Sequence, residues 1–341
     1  MIERVTWLMP VKNGMPYLPE TLASIETQTY RNWELLVWDN GSTDGTLDEL
    51  RRWVPSRLPG RVIYDNPLSL GNSLARLVET AQTELCARID ADDVNYRSRL
   101  EQQVAFMRAR PEVVLVGTDI EFIDEKGSVI AGAWTHQHED ADVRWQLRWE
   151  CPSCHPTVLF RRSAVIAAGN YRDCMPYEDH DLWLRMALIG EMANLPAVLV
   201  KYRWRSTSVC GQNTEQCAEA PSGRLYDAIF ERMAIKNADI LFSGIPASEA
   251  LELRHKVNSR SPHRLKVRIH DVVRFHQAAT ASAVAVKKPP SYFRRTQLYS
   301  GQQRLLLRRI LEQNACGRAC LPVIREIQYW VGRDPARDTK N

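Results

Sequence analysis

Apolar and polar positions alternate in short blocks through the first two hundred residues. Val5-Thr6-Trp7-Leu8-Met9 is a mostly apolar run closed by Pro10, the pattern of a buried strand. Lys12-Asn13-Gly14 is a turn, and helical spacing follows over residues 17–28. Leu35-Leu36-Val37-Trp38 is a second buried run. It ends at Asp39-Asn40-Gly41-Ser42-Thr43-Asp44-Gly45, a turn in which Ser42, Thr43 or Asp44 is placed to cap the next helix. Residues 61–64 predict a third strand, residues 72–82 a helix, and Cys86-Ala87-Arg88-Ile89 a fourth strand.

Regular alternation of strand and helix predicts a mainly parallel sheet covered on both faces. In open sheets of that kind ligands sit at the carboxyl ends of the strands. Three polar loops, at residues 10–14, 39–44 and 90–93, fall at such ends. Beyond them, Leu100, Val104 and Met107 give helical spacing over residues 98–110. Residues 112–123 read as a strand, with Asp124-Glu125-Lys126-Gly127 turning into Val129-Ile130. A helix is expected over 140–149, a strand over 157–160, and a short helix over 163–168 closed by Gly169. Helical spacing returns over 177–188 and a last strand over 195–202. From about residue 225 the pattern is helical, with Pro289-Pro290 as a break, and no internal repeat is seen.

Charge divides the chain. Residues 1–200 hold 20 Lys and Arg against 29 Asp and Glu, whereas residues 201–341 hold 25 against 12. An acidic half suits a metal site. A basic tail suits a membrane surface, an anionic acceptor or a nucleic acid, or is a solvated helical face rich in Arg. No run approaches 18 apolar residues, and the first residues lack a basic segment followed by a long apolar one. The expected location is therefore the cytoplasm, where the eight cysteines stay reduced.

The densest chemistry is Asp90-Ala91-Asp92-Asp93. Like charges packed this closely are costly unless a positive group sits on them. Residues i and i+2 of an extended segment face one side, so Asp90 and Asp92 can reach one ion. All-oxygen ligands favour Mg²⁺ or Mn²⁺, and Mg²⁺ usually shares its sphere with substrate phosphates. The same spacing has a second reading. Phosphohydrolases with an aspartyl nucleophile carry Asp-x-Asp-x-Val/Thr, and Asp90-Ala91-Asp92-Asp93-Val94 fits it, although that motif normally follows the first strand.

Tyr177-Glu178-Asp179-His180-Asp181 is a second acidic knot. It reads either as a helix start favoured by the helix dipole or as a general base for an attacking hydroxyl. Cys151-Pro152-Ser153-Cys154-His155 has haem-attachment spacing but no export signal. As a zinc site it needs further ligands, for which Cys174 and His180 are the candidates. Cys316 and Cys320, spaced i,i+4, read as packed thiols. No Gly-x-Gly-x-x-Gly follows the first strand and no Gly-Lys-Ser/Thr loop exists, which disfavours dinucleotide and phosphate-loop folds.

Taken in order, these motifs resemble the family 2 glycosyltransferases, which have the GT-A nucleotide-sugar-binding fold. The resemblance spans residues 5–209. Pro10-Val11-Lys12-Asn13-Gly14 is similar to the family's first nucleotide-contacting loop. Residues 39–46 resemble its Asp-Asp-Gly-Ser-Thr-Asp-Gly-Thr loop, with Asn40 for the second Asp. Ile89 to Asp93, with Arg99-Leu100-Glu101-x-Gln103, resemble the metal motif and its following helix. Cys154-His155-Pro156-Thr157, Arg161-Arg162-Ser163 and Gly169-x-Tyr171-Arg172 resemble the acceptor-side segment, and residues 178–185 the Glu-Asp motif.

The resemblance implies an inverting transferase that moves a sugar from a nucleotide-diphosphate donor, a UDP-sugar, to a hydroxyl of a glycan or lipid-linked acceptor in cell-surface polysaccharide synthesis. It implies a catalytic domain over 1–210, and a basic, mostly helical region of unassigned role over 211–341. Carried over by position, Asp39 accepts a hydrogen bond from the nucleotide base, and Pro10, Val11 and Asn13 line that pocket. Asp90 meets the ribose or the metal's water shell. Asp92 ligates Mn²⁺ or Mg²⁺, with Asp93 as second candidate. Asp179 is the base, and Glu178 holds the acceptor or tunes that base.

One departure stands out. Many relatives end this module with Tyr-Arg-x-His, but here Tyr202-Arg203-Trp204-Arg205 stands in its place. Arg205 stays protonated and cannot ligate a metal, but it can neutralise phosphate, which weakens the expected metal dependence. Asn40 and Arg205 keep open a second class, a non-catalytic sugar-nucleotide or glycan-binding module descended from a transferase. The basic C-terminal region suggests peripheral membrane contact on the inner face of the plasma membrane, and no nucleic acid is expected as a partner.

Overall fold

A computed structural model describes residues 3–147, 151–173 and 177–205, and from the C-terminal part 269–285 with scattered positions between 252 and 306. The chain divides into two compact units, Met1–Leu241 and Phe242–Asn341. The domain boundary expected at 210/211 lies outside the described residues, as do Cys174, Cys316 and Cys320.

The first unit is built on a nine-stranded sheet. Strands β1 (Val5–Val11), β2 (Trp33–Asp39), β3 (Gly60–Tyr64) and β4 (Leu85–Arg88) alternate with helices α1 (Leu18–Glu26), α2 (Thr46–Trp53) and α3 (Leu70–Thr80). They pair in parallel in the order β3-β2-β1-β4, as alternation of strand and helix predicts. Every residue of β1 and β4 is buried, so these strands need no polar face, and only Thr6 and Arg88 interrupt their apolar runs.

The second half of the sheet departs from a parallel arrangement. Strand β8 (Leu159–Arg161) runs antiparallel to β4 and to β6 (Val113–Ile123). Strand β6 pairs in parallel with β9 (Glu191–Arg203) and antiparallel with β7 (Val129–Trp134). The two-residue β5 (Val94–Asn95) lies antiparallel to β9. The short loop over residues 89–93 between β4 and β5 and a long return from β6 to β9 permit pairings that alternation alone does not foresee.

Helix α4 (Arg99–Ala109) buries Leu100, Val104 and Met107 in the core formed with β1, β2 and β4. Among the described residues of this unit, helices α5 (Asp140–Gln146), α6 (Arg162–Ala167) and α7 (Glu178–Met186) follow, with a 3₁₀ turn at His155–Thr157. Gly169 ends α6 with φ 83°, the left-handed geometry expected there. Three local expectations shift. Strand β1 runs on through Pro10 because its β4 neighbour stops opposite Leu8, so the missing N–H faces no ladder. Gly45, at φ 92°, is the residue before α2, and Asp44 accepts from the Thr46 N–H at 3.1 Å from one position earlier. The segment expected as a strand from residue 157 begins instead with the 3₁₀ turn.

In the second unit α8 (Ile269–Ala285) buries Phe275, Ala278, Ala279 and Ala283. Phe275 stacks on Tyr299 with ring centres 4.8 Å apart. Among the described residues no helix is long and apolar enough to cross a membrane.

Candidate active site

Because β2, β1 and β4 are adjacent and parallel, their carboxyl ends share one edge of the sheet. The first two loops at that edge are tied together. The Asn13 N–H donates to Ser42 Oγ at 2.9 Å, and Asn13 Oδ1 accepts from the Thr43 N–H at 2.9 Å. The Gly14 N–H donates to Thr46 Oγ1 at 2.8 Å and the Met15 N–H to Asp44 Oδ2 at 2.9 Å. Asn13 reaches this geometry with φ 56°, which Asn tolerates better than most residues.

Asp39 ends β2 beside Val11, its register partner on β1. It is 2% exposed. Its Oδ2 accepts from the Ser42 N–H at 3.2 Å, while its buried Oδ1 has no partner among the described residues. A buried acceptor left open is costly, and a ligand N–H would satisfy it. Asn40 faces the other way. Its Nδ2 donates to Ser73 Oγ at 2.9 Å and its Oδ1 accepts from the Leu68 N–H at 2.9 Å. Asn40 therefore clasps the loop to α3, a task for which an amide supplies both the donor and the acceptor.

The three carboxylates after β4 take three separate environments. Asp90 is paired with the buried Arg88, Nη1 to Oδ1 at 2.6 Å. Asp92 Oδ2 accepts from Arg205 Nη2 at 2.5 Å. Asp93 is 1% exposed, and its Oδ1 accepts from the Arg203 N–H at 2.8 Å. Antiparallel pairing of β5 with β9 produces this arrangement, since Val94 opposite Lys201 brings the end of β9 beside the Asp loop. Arg203 locks it, donating from Nε to the Asp92 carbonyl and from Nη1 to the Asp124 carbonyl, both at 2.8 Å. Tyr17 lies under both arginines, its ring centre 4.7 Å from the Arg203 guanidinium and 5.3 Å from that of Arg205.

Burial and the charge of Asp90 push the Asp92 carboxyl up, with Arg205 opposing them. Burial and its two acidic neighbours push Asp93 well above the usual carboxylate range. Among the described residues no three His, Cys, Asp or Glu side chains converge on a metal cage. What the loop offers is all-oxygen and only partly neutralised, with side chains 34% exposed at Asp90 and 19% at Asp92. That donor set fits a hard divalent cation that completes its sphere with water and substrate phosphate. Asp93 turns inward, away from that role.

The second acidic knot sits at the start of α7. Two ties position this helix. Asp181 and Arg185 pair at 2.6 Å, with Arg185 Nη1 also donating to the Asn170 carbonyl at 2.9 Å, and His180 Nε2 lies 2.6 Å from the Leu147 carbonyl. Glu178 and Asp179 face His155, whose Nδ1 lies 3.7 Å from Glu178 Oε1 and 3.9 Å from Asp179 Oδ2. Cys151 Sγ lies 3.6 Å from Asp179 Oδ2. The two carboxyls are driven apart. Burial pushes Asp179 up, His155 opposes it, and the Glu178 charge adds to the rise. Glu178 is also buried, but His155 and Arg88 outweigh that and hold it below the usual range. A split pair of this kind is how proteins separate a proton acceptor from a permanently charged neighbour.

Sequence reasoning read Cys151 and His155 as part of a haem-attachment or zinc spacing, and His155 also as part of the acceptor-side segment, and it assigned no part to Arg88. Arg88 was nonetheless legible, as the one charge inside an apolar strand ahead of three carboxylates. It is 1% exposed and pairs with Asp90, and its positive charge is among the influences that lower Glu178.

The mixed α/β sheet with its covering helices matches the GT-A architecture of its structural neighbours. TarS of Staphylococcus aureus (residues 1–349), solved in complex with UDP-GlcNAc, aligns over 89% of this chain and 90% of its own with TM-score 0.58, at 16% identity. The profile of glycosyl transferase family 2 matches residues 6–168. The amylovoran biosynthesis glycosyltransferase AmsE of Erwinia amylovora is 33% identical over 195 residues, covering 56% of this chain and 72% of AmsE. The O-antigen biosynthesis glycosyltransferase WbnJ of Escherichia coli is 28% identical over 214 residues, 62% of this chain and 78% of WbnJ. The chain belongs to glycosyl transferase family 2, and with that the aspartyl phosphohydrolase reading falls away.

Proposed function

We propose that this protein transfers a sugar, with inversion, from a nucleotide-diphosphate donor of the UDP-sugar type to a hydroxyl of a glycan or lipid-linked acceptor in surface polysaccharide synthesis. The observation that carries the reading is the pair of acidic sites the fold positions: Asp90 and Asp92 after β4, each with an arginine counter-charge, and Glu178 and Asp179 at the start of α7 facing His155. The names of AmsE and WbnJ, relatives in amylovoran and O-antigen biosynthesis, support the polysaccharide setting.

In this mechanism the open Oδ1 of Asp39 accepts an N–H of the base, in a pocket bounded by Pro10 and Val11 and braced by Asn13. Asp90, held by Arg88, meets the ribose. Arg205 bears on the diphosphate. When bound at Asp92, a divalent cation supplies positive charge against the departing diphosphate, worth several kcal/mol. Asp93 serves the loop, through the Arg203 N–H, rather than the cation. Asp179 takes the proton of the acceptor hydroxyl as that oxygen bonds to the anomeric carbon and the bond to the diphosphate breaks. Glu178 stays charged beside it. General base catalysis of this kind contributes ~10²–10⁴-fold.

The test is release of UDP from a panel of UDP-sugars, beginning with UDP-GlcNAc, with and without Mn²⁺. Asp92→Ala is expected to abolish the Mn²⁺-stimulated rate, and Asp179→Asn to keep nucleotide binding and lose turnover. Full turnover by Asp179→Asn would remove the base assignment.

We also propose that the C-terminal region, 25 Lys and Arg against 12 Asp and Glu over 201–341, contacts anionic membrane surface. Flotation of the full chain with anionic but not zwitterionic vesicles is expected, and equal behaviour with both would count against it.

A further inference from the structure

His155 opens the 3₁₀ turn that leads into β8, and β8 pairs with β4 through Cys86 opposite Phe160. That register sets the imidazole beside the start of α7. Its Nε2 lies 3.0 Å from Tyr171 Oη, and its Nδ1 faces Glu178 and Asp179 at 3.7 and 3.9 Å. Trp183 holds the ring edge-on, centres 5.7 Å apart at 88°. Tyr171 is 4% exposed, and burial keeps its phenol protonated well beyond the ordinary range. A phenol can donate or accept, but Nδ1 faces two carboxylates that can only accept when ionised. The ring proton is therefore best placed on Nδ1, and Tyr171 then donates to Nε2.

We propose that His155 is a positioning residue that holds Asp179 in its ionised, proton-accepting form, with Tyr171 fixing the tautomer that does so. The inference rests on Asp179 being the base. The groups facing this imidazole are Glu178, Asp179 and Trp183 from α7 and Tyr171 from the segment after α6. Behind them, Arg88 from β4 acts on Tyr171 and Glu178, and Cys151 lies against Asp179. Burial opposes ionisation of Asp179, and His155 is the first group acting against that opposition. An Nδ1–H aimed at a carboxylate favours its charged form by electrostatics and, once the site tightens around an acceptor, by a hydrogen bond.

The experiment follows the carboxyl ¹³C signals of Asp-labelled full-length protein against pH, with Asp179 assigned by its disappearance in Asp179→Asn. In His155→Ala the Asp179 midpoint is expected to rise by roughly one unit or more. Tyr171→Phe, which leaves the imidazole in place but frees its tautomer, is expected to move it the same way by less. An unmoved midpoint in a folded His155→Ala overturns the proposal. Where that variant does not fold, an unmoved midpoint in Tyr171→Phe does the same. Failure of the base assignment shows separately, as full UDP release from UDP-GlcNAc by Asp179→Asn whatever the titration.

Discussion

Arg205 Nη2 lies 2.5 Å from Asp92 Oδ2, across a separation of 113 residues, and Tyr17 packs under the guanidinium. The contact sets a cation of the chain itself on the carboxylate proposed to hold the metal. It gives the replacement of the family's His by Arg205 a physical meaning: Asp92 has a resident counter-charge before any donor arrives.

Removing that counter-charge is expected to change how the donor-free protein takes up a cation. Arg205→Ala should bind Mn²⁺ more tightly without nucleotide, by roughly 3- to 10-fold, the range for a partly exposed ion pair. Electron paramagnetic titration of free Mn²⁺ measures this directly. Equal affinity in the two proteins would mean that Arg205 and the cation do not compete.

Activity is expected to fall on the acid side at a higher pH than an ordinary Asp would give. Burial and the Glu178 charge raise the Asp179 carboxyl, so its proton-accepting form is lost sooner as pH drops. A profile of kcat/KM against pH reads the limb. A limb within the ordinary Asp range would contradict the raised carboxyl.

Arg88 is buried, and its Nε finds no partner among the described residues, so its charge depends on the acidic groups around it. Arg88→Met keeps length and removes charge. It leaves Asp90 unpaired and Glu178 less held in its ionised form. The expected loss is about 1–3 kcal/mol, less than for a fully buried pair because Asp90 reaches solvent. Denaturant unfolding checks it, and an unchanged midpoint would show that Arg88 is not needed to offset the cluster.

Asn40→Asp restores the residue of the family pattern and is expected to destabilise this chain. A carboxylate cannot donate to Ser73 Oγ as the Asn40 amide does, and it adds a buried charge beside Asp39. The cost is about 1–3 kcal/mol of unfolding free energy, read from a urea melt. A variant as stable as the parent would reduce Asn40 to a neutral replacement.

Some of this was legible in the chain itself. Buried strands β1, β2 and β4 announce themselves because every side chain in them is apolar or packed, and the polar loops after them stand out by contrast. Asp39, Asp90, Asp92 and the Glu178-Asp179 pair were singled out because carboxylates at strand ends and helix starts are local patterns. The mixed half of the sheet was not legible, since the partners of β6, β8 and β9 lie far along the chain.

The sequence by itself determined which segments become strands and helices and which loops carry charge, because periodicity, turn chemistry and capping act within a few residues. Only the tertiary structure decided which charges meet. Pairing of β5 with β9 sets Arg205 on Asp92 and turns Asp93 onto the Arg203 backbone. Pairing of β8 with β4 leads the chain back so that His155 faces Glu178 and Asp179. Register between distant strands is fixed by packing across the whole sheet, and no short stretch of residues contains that information.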